Sequence, residues 1–304
     1  MAQIKFGKCL MEKVRTSFKS DGFKLDARFY IPENYDPKRP LVLAKSGFLG
    51  LNNIHPERFA RFLTQRGFPC FGFDYRGFAK SEGKMSDVRP EEQAKDIAHA
   101  ITFVKNHETY APDKLVLLGW GMGAALVIQS VRIASEIDAL VCVNGFYNNL
   151  RVQRKLRGEQ GWKDFKKWYD REQIDYVLNG KENLYDPFEI YPLDPVTRKY
   201  VDEVLLQNPD FGGKVKFSFA ESLLNLDVCC NDPVYQDIPL LICHGDQNQL
   251  HPVEEAHWLL DNYPGSQKGI YWIEGGGHTE WMLDDHPKCI AMMDKVGTWL
   301  ETHV

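Results

Sequence analysis

The sequence of 304 residues has no long hydrophobic run and no strong excess of one charge. No stretch approaches the roughly 18 consecutive apolar residues of a transmembrane helix, and the first residues lack the hydrophobic region of a signal peptide. Lys and Arg number 37 against 42 Asp and Glu, and the basic residues are scattered along the chain. These absences disfavour membrane proteins and nucleic-acid-binding proteins, and we expect a soluble, cytoplasmic protein.

Paired cysteines are also lacking. The chain has seven cysteines, an odd number, with no CxxC motif, which is typical of reduced thiols. Cys70, Cys142 and Cys243 lie in apolar, strand-like runs, where we expect buried and inert thiols. The vicinal pair Cys229-Cys230 is more open to chemistry, but no neighbouring residue assigns it a role. We expect no bound metal and no cofactor.

What the sequence does contain is an alternation of short apolar runs with segments of helical periodicity. The runs that predict buried strands are 41–44, 70–73, 114–118, 139–143, 239–244 and 269–273, and the predicted helices are 56–66, 90–107, 122–135, 253–262 and 287–302. Residues 11–31 alternate around Asp21-Gly22 and predict a hairpin. Strands that alternate with helices in this way imply right-handed crossovers and a mostly parallel sheet with helices on both faces.

The alternation stops between residues 145 and 235. This segment is polar and aromatic, and it contains helical patches but no clear buried strand. We predict a lid inserted over the sheet, and a core made of residues 1–144 and 236–304. The aromatic side chains of the insertion either pack beneath the lid or form the walls of an apolar pocket.

The central feature of the sequence is the apolar run 114–118 followed by Gly119-Trp-Gly-Met-Gly123. A strand that breaks into a glycine-rich turn and then a helix is typical of a nucleophile elbow, in which the middle residue of G-x-S-x-G is the reactive serine. Here the middle residue is Gly121. Because covalent catalysis needs an attacking atom, no acyl-enzyme can form at this position.

Five motifs in strand-loop positions together resemble the α/β-hydrolase superfamily along nearly the whole chain. They are, in chain order, Gly47-Phe48 after the third strand, Asp74-Tyr-Arg-Gly-Phe after the fourth, Gly119-x-x-x-Gly123 after the fifth, His244-Gly-Asp after the seventh and Gly276-Gly-His278 after the eighth. The resemblance implies an α/β-hydrolase fold with an eight-stranded, mostly parallel sheet and a lid insertion.

Two further stretches place the resemblance within the superfamily. Phe73-Asp-Tyr-Arg-Gly and Leu193-Asp-Pro-Val-Thr-Arg are most similar to the dienelactone-hydrolase and peptidase-like branch that includes fungal polyketide acyltransferases. Membership of that branch implies a role in secondary metabolism.

The resemblance also implies a catalytic triad that is altered at two of its positions. His278 matches the triad histidine, Gly121 stands at the nucleophile position, and Asn248 stands where an aspartate is usual. An asparagine can hold the imidazole ring but cannot stabilise an imidazolium as a carboxylate does. We therefore expect His278 to be a weak general base.

The remaining predicted site groups bind the substrate. The resemblance assigns the oxyanion hole to the backbone N–H groups of Phe48 and Met122, the latter at a helix N-terminus. Ser46 and Gly47 belong to the same substrate-binding loop, where Ser46 replaces a histidine that is often found before the glycine.

Other polar residues in the motifs are expected to have structural roles. We predict that His244, His251 and His257 lie at the surface or brace loops. Asp74 and Arg76 are expected to brace loops through an ion pair or hydrogen bonds.

Three functions remain open on the sequence alone. The favoured one is an enzyme that acts on a small to medium organic carbonyl substrate without a serine nucleophile, as a lyase, isomerase, cyclase or water-mediated hydrolase, with His278 as general base. The second is a serine esterase, thioesterase or acyltransferase in the form of an inactive Ser-to-Gly variant. The third is a non-catalytic ligand-binding protein. The expected partner is a small-molecule substrate, and the oligomeric state is left open, with a homodimer as one alternative.

Overall fold

A computed structural model describes residues 11–134 and 136–304. Its strands are β1 (Met11–Ser20), β2 (Phe23–Pro32), β3 (Leu41–Lys45), β4 (Cys70–Phe73), β5 (Leu115–Trp120), β6 (Ala139–Val143), β7 (Leu184–Tyr185), β8 (Val215–Lys216), β9 (Leu240–Gly245) and β10 (Lys268–Ile273). Its helices are α1 (His55–Gln65), α2 (Pro90–Lys105), α3 (Met122–Val131), α4 (Asn149–Asn179), α5 (Pro187–Ile190), α6 (Pro195–Glu203), α7 (Phe217–Leu224), α8 (Val253–Asn262) and α9 (Pro287–His303).

The main sheet has eight strands in the order β1-β2-β4-β3-β5-β6-β9-β10. The β1–β2 and β2–β4 pairs are antiparallel, and all later neighbours in this order are parallel. Every residue of β3, β5 and β6 is buried, because helices cover both faces of a parallel sheet and leave its central strands without a solvent side. The predicted α/β-hydrolase fold class is confirmed.

The hairpin at the start of the sheet follows from its turn residues. Asp21 and Gly22 both have positive φ, 49° and 87°, and two such residues form the turn that matches the twist of paired strands. This turn sets Ser20 opposite Phe23 in the β1–β2 register, which confirms the predicted hairpin.

Two predicted helices are too long: α2 ends at Lys105, two residues before the predicted end, and α3 differs more. The periodicity predicts a helix over 122–135, but α3 ends at Val131. The N–H groups of Arg132 and Ile133 bond to carbonyls three residues back, those of Gln129 and Ser130. Such bonds tighten the last turn of a helix and end it.

Between β6 and β9 the chain forms α4 to α7 and the small β7–β8 ladder. The helix α4 is interrupted at Gly158, whose φ of 63° and ψ of −177° are not helical. The sequence predicted no buried strand here, but Val215 of β8 is buried. A strand of two residues is too short to show a periodicity. That residues 145–235 act as a lid over a core of 1–144 and 236–304 remains a prediction.

The cysteines in the sheet are buried, as predicted. Cys70, Cys142 and Cys243 lie in β4, β6 and β9 and are at most 1% exposed. Burial raises the pKa of the Cys142 thiol to about 12, and a thiol with a raised pKa is a poor nucleophile. Within the described residues, no helix is both long enough and apolar enough to cross a membrane.

Candidate active site

The turn between β5 and α3 is built as a nucleophile elbow without a nucleophile. Gly121 has φ of 62° and ψ of −130°, a conformation that glycine adopts readily and other residues rarely do. Gly119 and Gly123 allow the close approach of the surrounding backbone: a Cβ at Gly119 would lie 2.3 Å from the carbonyl oxygen of Gly123. The geometry of the elbow is therefore retained around Gly121.

The space beside Gly121 opens onto two imidazole rings. A Cβ added at Gly121 would lie 3.6 Å from Nε2 of His278 and 4.0 Å from Cε1 of His251. Both distances are ordinary van der Waals contacts. There is room for the Cβ of a serine, which at this φ would be strained, and the position faces His278 as the resemblance implies.

Asn248 sets the direction of the hydrogen bond to His278. Its Oδ1 accepts the backbone N–H of His251 at 2.9 Å, so its amide nitrogen faces His278 and donates to Nδ1 at 3.2 Å. A neutral imidazole that accepts at Nδ1 carries its proton on Nε2. His278 therefore presents an N–H donor towards Gly121, which differs from the predicted general base, whose Nε2 would need a free lone pair.

The histidines around Gly121 are uncharged. Burial, reinforced by the neighbouring imidazoles, holds the pKa of His278 well below its usual value. Burial also lowers the pKa of His251 to about 3 and that of His244 to about 4. Among the described residues, no carboxylate is in hydrogen-bond contact with His278 to offset the cost of placing an imidazolium there.

These buried histidines predict a loss of stability in mild acid. Their pKa values are lower in the folded state than in the unfolded chain, so the unfolded chain binds more protons as the pH falls below about 6.5. The pKa of His244 in the folded state is about 4. At about 1.4 kcal/mol per pH unit below about 6.5, His244 alone lowers the free energy of unfolding by about 3 kcal/mol when the pH reaches about 4.

Urea unfolding at pH 7, 6 and 5 measures this effect. We expect the midpoint to fall with pH, and His244→Gln to reduce the loss between pH 7 and 5 by about 2 kcal/mol. The exposed His257→Gln is the matched control and is expected to change the slope little. A midpoint independent of pH in this range would contradict the neutral buried histidines.

A cavity of about 620 Å³, including its mouth, lies above the elbow. Its walls come from the elbow, from the loop after β3, from the loops after β9 and β10, and from the segment between β6 and β9. The lining residues are Gly47, Phe48, Leu49, Gly50, Ile54, His55, Trp120, Gly121, Met122, Phe188, Tyr191, Leu193, Thr197, Val201, Leu205, Phe211, Leu250, His251, His278 and Thr279. None of these lining residues is Asp, Glu, Lys or Arg, so the lining suits an uncharged, largely apolar ligand.

The predicted oxyanion groups lie at this cavity. Met122 is the first residue of α3, so its N–H belongs to the helix donors that have no partner within the helix. Phe48 lines the same cavity, and its carbonyl oxygen accepts from the buried side chain of Gln93 at 3.0 Å. This bond ties the loop after β3 to α2.

Ser46 is placed differently from the prediction. It is fully buried but is not among the cavity-lining residues. A Cβ at Gly50 would lie 1.6 Å from its Oγ, so the side chain packs against Gly50 behind the loop. Of the predicted substrate-binding residues, Gly47, Phe48 and Met122 reach the cavity and Ser46 does not.

His251 is also placed differently, because it lines the cavity instead of only bracing a loop. Its ring contacts that of His278 edge to face, with centroids 4.4 Å apart. His244 does brace the loop, since its Nε2 lies 2.8 Å from the carbonyl oxygen of His251. The position of His251, three residues after Asn248, was the only signal in the sequence that could have placed it in the site.

Asp74 and Arg76 brace loops, as predicted. The Asp74 carboxylate accepts the N–H of Asn52 at 2.7 Å. Arg76 is paired with the buried Asp96 and with Asp21 at the β1–β2 turn. These contacts tie the loop after β4 to the segment between β3 and α1, to the hairpin and to α2, and none of the residues involved lines the cavity.

Comparison with known proteins agrees with this architecture. The family model described as serine aminopeptidase, S33, matches residues 37–284. An uncharacterized 31.7 kDa protein in the traX-finO intergenic region of Escherichia coli is 24% identical over 252 residues, or 83% of this chain and 86% of that protein. The thiohydrolase aneE of Aspergillus aculeatus is 29% identical over 124 residues, which cover 40% of this chain and 38% of that one.

Solved structures share the fold over nearly the full length. The hypothetical protein PA2218 from Pseudomonas aeruginosa superposes with a TM-score of 0.78 at 16% identity, covering 98% of this chain and 95% of that chain. The α/β hydrolase GrgF from Penicillium sp. sh18 superposes with a TM-score of 0.73 at 14% identity, covering 96% and 99%. At these identities the likeness concerns the fold.

Proposed function

Since this chain belongs to the serine aminopeptidase S33 family of α/β hydrolases, we propose that it acts on a small to medium, uncharged carbonyl compound without a covalent intermediate at Gly121. The observation that carries this proposal is the geometry at the elbow. The place of the nucleophile is empty, and the N–H of His278 points at it from within a cavity lined by neutral residues.

The groups around Gly121 suit the activation of a carbonyl oxygen. In this proposal the Nε2–H of His278 and the backbone N–H groups of Phe48 and Met122, three residues that line the cavity, donate to the substrate oxygen. Donors of this kind stabilise negative charge that develops on oxygen, each by about 10²–10³ in rate. A neutral histidine is an effective electrophile because its N–H polarises a carbonyl without first gaining a proton.

Such a site favours reactions that build charge on oxygen without acylating the protein. These include C–C bond cleavage or formation, elimination, isomerisation, cyclisation, and hydrolysis by a water beside Gly121. The partial likeness to a protein named thiohydrolase supports a carbonyl compound, such as a thioester, as the substrate.

Two other functions have some support. A serine hydrolase in inactive form is favoured by the room for the Cβ of a serine at Gly121, but Asn248 opposes it by holding His278 in the tautomer that cannot take a serine proton. A ligand-binding protein is favoured by the lack of a charged side chain among the cavity-lining residues.

The test is turnover in the presence of a serine-directed inhibitor. The protein is incubated with β-hydroxy ketones, lactones and thioesters in ¹⁸O-labelled water, with and without a fluorophosphonate, and the products are identified by mass spectrometry. We expect conversion of at least one compound class that the fluorophosphonate does not block, because Gly121 offers no hydroxyl to label.

His278→Ala, purified identically, controls for contaminating hydrolases. Inhibition by the fluorophosphonate would show a serine mechanism elsewhere in the protein and would contradict the proposal. Recovery of every compound unchanged would favour the ligand-binding function instead.

A further inference from the structure

A second hydrogen-bonded chain lies beside His278 and has no role in the carbonyl site described above. The Tyr191 hydroxyl is hydrogen-bonded to Nε2 of His251, and Nδ1 of His251 lies 2.6 Å from the carbonyl oxygen of Asn144. Tyr191 and His251 both line the cavity. They are 60 residues apart in the sequence, so only the fold brings them together.

The direction of this chain is fixed by its last member. A carbonyl oxygen can only accept, so Nδ1 of His251 donates to Asn144 and the neutral ring has its lone pair on Nε2. Tyr191 must then donate its hydroxyl proton to His251. Burial keeps both partners neutral, since it lowers the pKa of His251 to about 3 and raises that of Tyr191 well above its usual value.

The consequence is a fixed acceptor in the cavity. Because the Tyr191 proton is committed to His251, its oxygen has only lone pairs left for a ligand. His278 presents the opposite polarity, an N–H donor fixed by Asn248. The cavity therefore holds one oriented acceptor and one oriented donor, and the ring centroids of His251 and His278 are 4.4 Å apart.

A single residue holds both histidines in place. Asn144 follows β6 with a positive φ of 47°, which is costly for a residue other than glycine. Its side chain accepts from the N–H of Gly245 and donates to the carbonyl oxygen of His278, both at 2.8 Å. Its backbone carbonyl accepts from His251. Contacts at the end of β9 and in the loops after β9 and β10 thus hold Asn144 in a strained conformation. Such enforced strain is typical of a site that must stay rigid.

Four buried polar atoms, in residues that line the cavity, have no hydrogen-bond partner among the described residues. Within the described residues, no protein group bonds the polar atoms Nε2 of His55, Nε1 of Trp120, Oγ1 of Thr197 and Oγ1 of Thr279. All four side chains are more than nine-tenths buried and belong to residues that line the cavity. These atoms are themselves almost fully buried, so they lie in the wall of the cavity behind its open surface.

We infer that the cavity recognises an uncharged hydroxy-carbonyl compound, whose carbonyl oxygen accepts from His278 and whose hydroxyl donates to the oxygen of Tyr191. This inference rests on the proposed function for the carbonyl end and adds the hydroxyl end. A ligand without the hydroxyl would leave the Tyr191 acceptor unpaired in an apolar cavity, and sites built around a substrate hydroxyl discriminate against analogues that lack it.

The experiment measures dissociation constants by calorimetry for a matched set of probes. The hydroxy ketones are 2-hydroxy- and 3-hydroxy-1-phenylbutan-1-one, and the controls are their methyl ethers and the parent 1-phenylbutan-1-one. We expect at least one hydroxy ketone to bind the wild-type protein about tenfold more tightly than its methyl ether and the parent ketone. Tyr191→Phe should remove that preference.

Tyr235→Phe is the control for loss of a buried hydroxyl. Tyr235 donates to the carbonyl oxygen of Ile128 at 2.8 Å and does not line the cavity, so this variant should keep the preference. No preference in the wild-type protein, or a preference that survives Tyr191→Phe, would overturn the inference. Failure of the proposed function is seen separately, as an unchanged affinity of His278→Ala for 1-phenylbutan-1-one.

Discussion

Changing Gly121→Ser and Asn248→Asp together should create a serine esterase, whereas either change alone should not. A serine Cβ at this position lies 3.6 Å from Nε2 of His278, so its hydroxyl reaches the imidazole. With Asn248 in place, however, Nε2 carries a proton and cannot take the proton of the serine. In a serine protease, an asparagine in place of the triad aspartate costs about 10⁴ in turnover through this wrong tautomer.

The aspartate removes that obstacle because a carboxylate accepts from both of its neighbours. It can accept the backbone N–H of His251, as Asn248 does now, and also Nδ1–H of His278, which frees the lone pair on Nε2. The negative charge then stabilises the imidazolium that forms during attack. We therefore expect the hydrolysis of p-nitrophenyl butyrate by the double variant to exceed that of Gly121→Ser by about 10⁴.

Fluorophosphonate labelling and ester hydrolysis are measured on the same preparations. The matched control is Gly121→Ala with Asn248→Asp, which has the altered histidine and no nucleophile. It should show neither labelling nor hydrolysis. If the double variant is no more active than Gly121→Ser, the tautomer of His278 is not what limits ester hydrolysis by a serine at position 121.

Replacing His278 separates a hydrogen-bond donor from a general base. His278→Ala removes the N–H that faces Gly121, and loss of one such donor typically lowers turnover by about 10²–10³. His278→Gln keeps an N–H donor but cannot act as a base. If His278 acts as a donor, we expect kcat/KM of the glutamine variant to fall by only about tenfold, well above that of the alanine variant.

A spectroscopic measurement gives the same comparison without a known substrate. The carbonyl stretching frequency of bound 1-phenylbutan-1-one should be lowered most in the wild-type protein, less in His278→Gln and least in His278→Ala, where only the backbone donors of Phe48 and Met122 remain. Thermal unfolding of both variants shows whether the site is still folded. Equal loss of turnover in the two variants would support the general base that the sequence predicts.

The fold was largely predictable because its determinants are local. Buried parallel strands read as continuous apolar runs, and the limits of β6 and α8 agree with those predicted, 139–143 and 253–262. The glycines that allow close packing at the elbow are visible in the sequence as well. The end of α3 was not, since apolar spacing continued beyond the turn that ends the helix.

The positions of the site residues were predictable from the sequence, but the hydrogen bonds between them were not. The order of the strand-loop motifs placed Gly121, His278 and the loop of Phe48 at one end of the sheet, where the structure finds them. It gave no sign that Tyr191 joins His251, since these residues lie far apart in the chain. Ser46, which the sequence predicts in the substrate-binding loop, does not line the cavity because its side chain packs against Gly50.

The sequence by itself determined the α/β-hydrolase fold and the lack of a hydroxyl at Gly121, since both depend on residue identity and on spacing along the chain. Only the tertiary structure decided what His278 offers to a ligand. Its proton position depends on Asn248, whose own orientation is set by the backbone of His251. Its neutrality depends on burial among groups from separate strand ends. Hydrogen-bond direction and desolvation arise between groups that the fold brings together, so they are not encoded at any one position.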